Sequence, residues 1–534
     1  MFSYQLNIHS TLYYAIRNYP EQEIVYRNIE KYSFKEFYDR VKRLAGGLIS
    51  IGVKPGDTVA VLDWDTPMYL ESYYAVPMIG ATLHTVNIRY PLETMLYTMQ
   101  HAEDKYIILS EEFIPVIEKI SKYLKNINYF ILKSMNDVKS NIKNLVNYET
   151  LLRDSGKYEF PDLDENTRAT IFYTSGTTGL PKGVTFSHRN IVLHTISLAL
   201  SLMKEPISLK ENDVILGLVP FFHAHSWVFP YASIMLGKKL VLPGRYEMEN
   251  VLDTIKNEHV TISYMVPSLL YMLLTTPGIE NYRENLKDLK VIVGGAALPL
   301  GLAKWANSFG IKTVGTYGLS EAGPVVTISY HNMKIKSIDE NFRMELENAP
   351  GIPIPFMHLR VVDSDCNDVP WDNRSIGEIV IRSPWLTGEY FKDPEKTKAL
   401  WDCGWLHTGD LAVVDNLGYL HIVDREKDAV KSGGEFIPSI LIESIISELP
   451  EIGEVAVVGK PHEKWGERPV AIVTLKSKID KEKIINHLTK YVETGRIQKW
   501  WIPDDIIFIE SMPKTSTNKI DKKKLRIILF NSKT

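Results

Sequence analysis

The sequence predicts an α/β protein: a large N-terminal domain of parallel-type sheets with a small β subdomain, followed by a C-terminal α+β domain. Apolar strands and amphipathic helices alternate through residue 200 and again from residue 213, which favours parallel sheets covered by helices. After residue 350 short strands with frequent turns appear, which is typical of antiparallel structure. Charge and glycine then concentrate near residue 427, as they do at domain boundaries.

These observations give the predicted domain limits. The length of 534 residues exceeds what one hydrophobic core supports. We assign residues 1–426 to the N-terminal domain, including a β subdomain over about 350–424, and residues 427–534 to the C-terminal domain.

The composition is that of an ordinary globular protein, with 45% hydrophobic residues, 24% charged residues and a net charge of −4. It gives no reason to expect nucleic acid or an anionic membrane as the main partner, and no apolar run reaches the length of a membrane span. The two cysteines, Cys366 and Cys403, form no Cys-x-x-Cys pair, so we expect neither a disulfide framework nor a structural zinc site. No signal peptide is recognisable, and a reducing cytoplasm is expected.

Local signals predict the early elements. Ser33 is a candidate N-cap of an amphipathic helix with apolar Phe37, Val41, Leu44 and Leu48 at helical spacing. The same patterns predict a strand over residues 58–62, a helix over 66–80 and strands over 81–86 and 169–173.

Tyr173–Gly183, with the sequence YTSGTTGLPKG, lies between a predicted strand and a helix predicted over residues 184–200. Its glycines allow a tight turn, in which backbone N–H groups can form an anion-binding concavity. Hydroxyl groups and Lys182 add donors and charge. The order Pro-Lys-Gly differs from a Walker loop. We interpret the stretch as a polyphosphate loop, and a solvated flexible loop is the alternative.

Several later segments could line a site. The two histidines of FFHAHSW, His223 and His225, could ligate a metal, but no third ligand is apparent and a polar pocket lining is favoured. The run Gly-Gly-Ala-Ala after a strand over 290–293 leaves room for a flat ring, although helix–strand packing uses the same residues. Tyr317 ends the next strand, just before Ser320, at the edge where open α/β sheets bind ligands.

The remaining segments carry charge. WLHTGD, residues 405–410, puts a carboxylate after a Thr-Gly turn, and DREKD, residues 424–428, is either a solvated turn or a domain boundary. The polar loop 512–520 carries two lysines, where charge usually means solubility only. The C-terminal elements are predicted as a helix over 437–447, strands over 454–459 and 470–475, and a helix over 481–493.

Together these motifs resemble the AMP-forming acyl-CoA synthetases, relatives of peptide-synthetase adenylation domains and luciferases. The resemblance implies that a carboxylate attacks the α-phosphate of ATP to give acyl-AMP and pyrophosphate, after which the thiol of coenzyme A releases AMP. It also implies a mobile C-terminal domain. The motifs occur in the family's order and are Tyr173–Gly183, Tyr317–Glu321, Trp405–Asp410 and Pro513–Lys519.

The resemblance implies catalytic roles for Lys519, Glu321, Ser320 and His223. Lys519 would bridge the attacking carboxylate and the α-phosphate, and Glu321 would bind Mg²⁺. The preceding residue, Asn518, departs from the family's usual glycine but tolerates a left-handed backbone. The implied ATP/AMP-binding residues are Gly295, Ala296, Ala297, Tyr317 and Gly318 around the adenine, Asp410 and Arg425 at the ribose, and Thr174, Ser175, Gly176, Thr177, Thr178 and Lys182 at the β- and γ-phosphates.

The resemblance also implies a hinge at Lys427, a coenzyme A site and an acyl pocket. Gly318 stands where acetyl-specific members carry a bulky Trp, so longer acids should fit. The sequence is similar to archaeal ligases for 4-hydroxybutyrate and short- to medium-chain fatty acids, which implies an acid of roughly three to eight carbons. The implied residues are His223, His225, Trp227 and Gly318 for the acyl pocket, and Lys431, Ser432, Gly433 and Gly434 for coenzyme A.

Three other functions stay open: an adenylating enzyme that passes its acyl group to a carrier protein, a long-chain synthetase, and a nucleotide-binding regulator without catalysis. The expected partners are a small carboxylic acid, ATP and coenzyme A, and self-association into a homodimer is left open.

Overall fold

The computed structural model describes residues 4–134, 138–174, 180–335, 338–516 and 518–530. Their architecture confirms the predicted fold class of a large α/β part followed by a smaller α+β part. The elements up to residue 202 are α1 (His9–Asn18), β1 (Glu23–Tyr26), β2 (Glu30–Ser33), α2 (Phe34–Ser50), β3 (Thr58–Leu62), α3 (Pro67–Met78), β4 (Thr82–Thr85), α4 (Leu92–His101), β5 (Asp104–Ser110), α5 (Ile114–Ile120), β6 (Tyr129–Lys133), β7 (Leu145–Asn147), α6 (Tyr148–Asp154), β8 (Arg168–Thr174), β9 (Lys182–Ser187) and α7 (His188–Leu202).

Strand and helix continue to alternate in the next segment. Its elements are β10 (Val214–Leu218), α8 (Phe229–Met235), β11 (Lys239–Leu242), α9 (Met248–Glu258), β12 (Ile262–Met265), α10 (Pro267–Leu274), α11 (Arg283–Leu286), β13 (Lys290–Val293), α12 (Leu300–Ser308), β14 (Lys312–Gly318), β15 (Val325–Ile328), α13 (Glu340–Glu347) and β16 (Ile352–Pro353).

Short strands dominate the last part of the chain. Its elements are β17 (His358–Val362), β18 (Gly377–Arg382), α14 (Pro394–Leu400), β19 (Trp401–Asp402), β20 (Trp405–Val414), β21 (Leu420–Arg425), β22 (Val430–Ser432), β23 (Glu435–Ile437), α15 (Ser439–Ile446), β24 (Ile452–His462), β25 (Gly466–Leu475), α16 (Lys481–Glu493), β26 (Asp505–Phe508) and α17 (Lys522–Phe530).

Two large sheets form the core of the N-terminal part. One has the order β7-β6-β5-β3-β4-β8-β9, and the other has the order β16-β15-β14-β13-β12-β10-β11-β1-β2. The central pairs are parallel, and antiparallel pairs lie at the edges. Because β13 and β14 are parallel neighbours, the Gly-Gly-Ala-Ala run and Tyr317 leave the same edge of the sheet.

The early helix signals are correct. Ser33 caps α2 by accepting from the Glu36 backbone N–H, while the Glu36 carboxylate accepts from the Ser33 backbone N–H. This reciprocal capping satisfies two N–H groups that a helix terminus leaves unpaired.

The helix predicted over residues 184–200 begins four residues later, because residues 184–187 belong to strand β9. β9 pairs antiparallel with β8, and Thr174 lies opposite Lys182. Val184 and Phe186 are buried, and β-branched and aromatic side chains such as theirs favour strands. Ser187 then caps α7. The described residues at the two ends of the predicted phosphate loop therefore lie on paired strands.

The third sheet is antiparallel, with the order β17-β18-β20-β19 and β21 paired to β20. Residues 405–410 lie inside β20 and do not form the expected turn. Within this segment only Gly409 has a positive φ, of +69°, and the β18–β20 register shifts near this point.

The C-terminal residues have their own sheet, with the order β23-β22-β25-β24 and β26 paired to β25. A separate apolar cluster packs against it through α15 and α16, with Ile442, Ile446 and Leu488 fully buried. The predicted domain limit between residues 426 and 427 stays a prediction.

We expected no disulfide framework, but Cys366 and Cys403 form a disulfide. Cys366 follows β17, and Cys403 lies in the turn between β19 and β20. The two turns meet because β17 and β20 both pair with β18. A separation of 37 residues hides this proximity in the sequence. Among the described residues, no helix is long and apolar enough to span a bilayer.

The disulfide should stabilise the β subdomain. For a separation of 37 residues, loop-closure entropy gives a contribution of about 4 kcal/mol at most. We expect reductant to lower the midpoint of the calorimetric transition that includes this subdomain. Cys403→Ser should start at that lower midpoint and be insensitive to reductant. Equal midpoints for the oxidised and reduced wild-type protein would contradict the assignment.

Candidate active site

A cleft of about 1690 Å³ runs between the carboxyl edge of β13 and β14 and the C-terminal residues. Tyr317 and Glu321 of the N-terminal part line it, and so does Lys519 of the C-terminal part. It brings together most of the predicted site residues. Those that line it are Thr174, Lys182, His223, Trp227, Gly295, Ala296, Ala297, Tyr317, Gly318, Ser320, Glu321, Arg425, Lys427 and Lys519.

One wall is organised by a buried carboxylate. Asp410 is 5% exposed, and its Oδ2 accepts a 2.7 Å hydrogen bond from the Tyr317 hydroxyl. Its Oδ1 lies 3.3 Å from Nε of Arg425. Asp410 and Arg425 face each other across β20 and β21, so strand register fixes the pair. Burial, and after it the Asp410 carboxylate, raises the pKa of Tyr317 well above its usual value.

A second carboxylate, Glu321, is oriented by Tyr390. The Tyr390 hydroxyl donates a 2.6 Å hydrogen bond to Glu321 Oε1. The Lys182 ammonium lies 4.3 Å from the centroid of the same ring, within the range of a cation–π interaction. Tyr390 therefore contacts both the Glu321 carboxylate and the Lys182 ammonium at the cleft wall.

Lys519 is the cation that the C-terminal residues place in the cleft. Its Cε lies 3.3 Å from where a Cβ on Gly295 would be, and Gly295 has φ +77°. Burial lowers the pKa of Lys519 to about 8, and the nearby Arg425 adds to the decrease, while Asp410 and Glu321 oppose it. The ammonium is thus held where anionic ligands would be strongly attracted.

The loop that carries Lys519 is tied to the N-terminal part. Asn518 has φ +62°, the left-handed conformation expected of a residue that replaces glycine here. Its carbonyl accepts a 2.6 Å hydrogen bond from Ser268 Oγ. Ser516 receives hydrogen bonds from Asn87 at 3.2 Å and from Arg89 at 3.4 Å. These contacts fix the position of the loop that carries Lys519 relative to the cleft.

The far end of the cleft rests on an unusual backbone segment. Five consecutive residues, 224–228, have φ between 45° and 57°. None is glycine, so the left-handed turn costs roughly 1–2 kcal/mol per residue. It begins immediately after His223, and both His223 and Trp227 line the cleft. Strained backbone of this kind persists only where surrounding contacts hold it.

Buried hydrogen bonds hold the turn. Ser226 Oγ donates to the Val219 carbonyl at 2.6 Å and lies 2.9 Å from the Tyr264 hydroxyl. His225 Nε2 lies 2.7 Å from Thr170 Oγ1, and both residues are fully buried. The pinned turn fixes where His223 and Trp227 stand.

Two of the predicted acyl-pocket residues, His225 and Gly318, have surroundings that differ from those we expected. His225 does not line the cleft; it packs edge-on against Phe172, with ring centroids 5.0 Å apart, because the left-handed turn directs it behind the wall. Of the two histidines only His223 lines the cleft, and neither belongs to a cluster of three or more metal-ligating side chains among the described residues. Gly318 does line the cleft, but an added Cβ would lie 2.1 Å from the Pro324 carbonyl oxygen. Backbone packing alone therefore requires glycine there.

The predicted coenzyme A residues lie outside the cleft. Lys431 and Ser432 end β22, and Gly433 and Gly434 form the tight turn into β23 with φ of 62° and 92°. None of the four lines the cleft in this arrangement. Four predicted phosphate-loop residues, Ser175, Gly176, Thr177 and Thr178, lie outside the described part of the chain.

Sequence reasoning missed the residues that support the site from elsewhere in the chain. Tyr390 orients Glu321, and Asn87, Arg89 and Ser268 hold the Lys519 loop. Each is a single polar residue in an unremarkable context. Only the tertiary contacts reveal them.

Comparison with known proteins gives one consistent result. Residues 12–391 match the family described as AMP-binding enzyme, and residues 441–519 match the AMP-binding enzyme C-terminal domain. The chain is 38% identical to a long-chain-fatty-acid–CoA ligase of Thermus thermophilus, over 98% of the chain and 96% of that protein. It is 34% identical to a medium-chain-fatty-acid–CoA ligase of Ectopseudomonas oleovorans, with 98% and 96% covered.

More distant relatives extend the range of acids. The chain is 30% identical to 4-hydroxybutyrate–CoA ligase 2 of Metallosphaera sedula, over 94% of the chain and 90% of that protein. The fold superimposes with a TM-score of 0.86 on a crystal structure of an anthranilate CoA ligase in complex with anthranoyl-AMP. That protein is 22% identical, with 99% of this chain and 98% of the other covered.

The hydrogen bond between Thr170 and His225 should be required for the left-handed turn. Thr170→Val keeps the shape and removes the hydroxyl, which leaves a buried imidazole without its partner and costs about 1–3 kcal/mol. We expect the hydrogen-exchange free energies of amides in residues 221–228 to fall by that amount. Thr170→Ser keeps the hydroxyl and should keep the protection. Unchanged protection in Thr170→Val would show that the bond does not hold the turn.

Proposed function

This chain belongs to the AMP-binding enzyme family and is an AMP-forming acyl-CoA ligase, and we propose that it activates a short- to medium-chain carboxylic acid through the cleft described above. The reaction forms a bond between the carboxylate oxygen and the α-phosphorus of ATP and releases pyrophosphate. The thiol sulfur of coenzyme A then bonds to the acyl carbon and AMP leaves. The residue assignments are carried by the convergence of Tyr317, Glu321 and Lys519 on one cleft. Asp410 does not itself line the cleft but accepts a hydrogen bond from Tyr317 at its wall.

The nucleotide would lie along the edge of β13 and β14. The adenine would stack on Tyr317, with the backbone of Gly295 to Ala297 on its other face. Asp410 would accept from the ribose hydroxyls, because Tyr317 and Arg425 already hold its carboxylate at the wall. Ser320, which lines the cleft, would donate to the α-phosphate. Thr174 and Lys182, which lie opposite each other on β8 and β9, would lie beside the β- and γ-phosphates.

The residues present fit a Mg²⁺ ion that is bound chiefly through ATP. Tyr390 orients the Glu321 carboxylate toward the cleft through one oxygen, and a single carboxylate with phosphate oxygens is a usual Mg²⁺ environment. When bound, the ion would neutralise phosphate charge.

Lys519 would bring the two anions together. A carboxylate and a triphosphate repel each other, so fixed positive charge must lie between them. The Lys519 ammonium is a compact charge, and charge moves between the carboxylate and phosphate oxygens during attack. Burial and Arg425 hold its pKa near 8, so anion binding would favour the charged form.

The second half-reaction would use a different arrangement of the C-terminal residues. The hairpin of Lys431 to Gly434 is proposed for coenzyme A, yet it lies outside the cleft here. Rotation near Lys427, which lines the cleft, would exchange Lys519 for this hairpin.

Trp227 limits the length of the acid. Its side chain is 4% exposed, and an added Cβ on Gly294 would lie 3.1 Å from its ring. The left-handed turn holds it from behind. These contacts support a closed pocket for an acid of roughly three to eight carbons, including 4-hydroxybutyrate. The long-chain ligase of Thermus thermophilus favours the alternative in which Trp227 moves to admit a longer chain.

Two finer expectations are also part of the proposal. We place the protein in the cytoplasm and allow for a homodimer. Cell fractionation and light scattering of the purified chain test them.

The function is tested by pyrophosphate release over acetate, butyrate, 4-hydroxybutyrate, hexanoate, octanoate and palmitate, with and without coenzyme A. We expect AMP as the nucleotide product and thioester formation without a carrier protein. The highest kcat/KM should fall among the acids from butyrate to octanoate. ADP formation, or no ATP consumption with any acid, would contradict the ligase. Best turnover of acetate or palmitate would contradict only the proposed chain length.

Lys519 should give the adenylation step a characteristic pH dependence. The protonated ammonium is the active form, so kcat/KM for ATP should fall as pH rises through about 8, the pKa of this lysine in the free protein. The corresponding fall in kcat should occur at higher pH, because bound ATP raises the pKa of Lys519 by favouring its ammonium form. In Lys519→Arg the charge persists at all accessible pH values. We expect this variant to be less active, but its kcat/KM should not fall as pH rises through about 8. The same fall in Lys519→Arg would assign the titration to another group.

A further inference from the structure

The first turn of α12 is capped by residues from the C-terminal part of the chain. Pro299 occupies the N-cap position and supplies no side-chain hydrogen bond. The Leu300 backbone N–H instead donates to Ser444 Oγ at 3.2 Å, and the Gly301 N–H donates to Ser447 Oγ at 3.2 Å. Because helix termini leave such N–H groups unpaired, α12 is completed only when the C-terminal residues are docked on it.

The docking is electrostatically favourable as well. Ser447 is the C-cap of α15, so the carbonyl end of α15 meets the N–H end of α12. The negative end of one helix dipole thus faces the positive end of the other. Two neighbouring contacts lie on the same face of α12. Lys304 Nζ is 3.6 Å from Glu448, and Lys476 Nζ is 3.8 Å from the centroid of the Trp305 ring.

Gly301 is the centre of this contact. A Cβ added to it would lie 1.9 Å from the Ser447 carbonyl oxygen, 2.4 Å from its carbonyl carbon and 2.9 Å from the Glu448 nitrogen. All three are backbone atoms, so no side-chain rotation could relieve the overlap. The glycine has no positive φ and lies in a helix, where alanine is the more favourable residue. Within α12 itself nothing requires glycine, but the close approach of α15 does.

We propose that Gly301, with Ser444 and Ser447, forms a docking latch that positions Lys519 for adenylation. This inference rests on the proposed function, because it assigns the docked arrangement to the first half-reaction. The loop that carries Lys519 makes its own contacts with Ser268 and Asn87 through Asn518 and Ser516. The latch holds the body of the C-terminal part, from which that loop projects. Gly301 is a positioning residue, because it acts on the reacting atoms only through Lys519.

The latch is tested by separating the two half-reactions in Gly301→Ala. Adenylation is measured as acid-dependent exchange of labelled pyrophosphate into ATP. Thiolysis is measured as thioester formed from supplied acyl-AMP and coenzyme A. The added methyl group cannot coexist with the docked arrangement. We therefore expect adenylation to fall about tenfold or more, while thiolysis stays within about twofold. Lys519→Ala should show the same split.

A second variant and a matched control accompany this measurement. Ser444→Ala combined with Ser447→Ala removes the two caps without a clash, so adenylation should fall several-fold and thiolysis should not. Gly156→Ala is the control, because a Cβ there meets nothing within 4 Å and its φ is not positive. It should leave both half-reactions unchanged.

Hydrogen exchange gives a readout that is independent of activity. The Leu300 and Gly301 amides should be protected in the wild-type protein and in Gly156→Ala. The Leu300 amide and the amide at position 301 should lose protection in Gly301→Ala, and Leu300 and Gly301 should lose it in the double serine variant. Equal losses in both half-reactions, or retained adenylation and protection in Gly301→Ala, would overturn the latch. Absence of pyrophosphate exchange in the wild-type protein, with the amides still protected, would instead overturn the proposed function.

Discussion

The cleft depends on a partly buried cation, Lys519, whose charge is not fully compensated. Burial and the neighbouring Arg425 both disfavour the charged form of Lys519. Asp410 and Glu321 offset this only in part, and each already accepts a hydrogen bond from a tyrosine. Such a site is stabilised by any ligand that brings negative charge. This property allows a carboxylate and a triphosphate, which repel each other in water, to share one cleft.

Much of the surrounding structure serves to keep this arrangement in place. Strand pairing fixes Asp410 opposite Arg425, and the ends of two helices meet where Gly301 contacts Ser447. The left-handed turn after His223 is the clearest local departure from relaxed geometry. Strain of this kind is tolerated where buried contacts over-determine the backbone, and here it sets the wall against which a substrate would lie.

Local signals in the sequence were sufficient for the long elements. The capping box at Ser33 and the helical spacing after it specify α2 completely. Interactions between distant segments were not visible in the same way. Residues 184–187 pair with the preceding strand β8, and His225 turns behind the cleft wall, where it meets Thr170. The resemblance predicted the role of Lys519 from its motif. The requirement for glycine at position 301 could not be predicted in this way, because it arises only from the contact between the ends of α12 and α15.

The disulfide has a practical consequence for following motion in this protein. Cys366 and Cys403 are the only cysteines in the chain, and they are bonded to each other. A thiol introduced elsewhere would therefore be the sole target for a maleimide dye under non-reducing conditions, with no need for a cysteine-free background. One label on α12 and one on α15, introduced as a pair, would convert the separation of the two helices into a fluorescence signal during turnover.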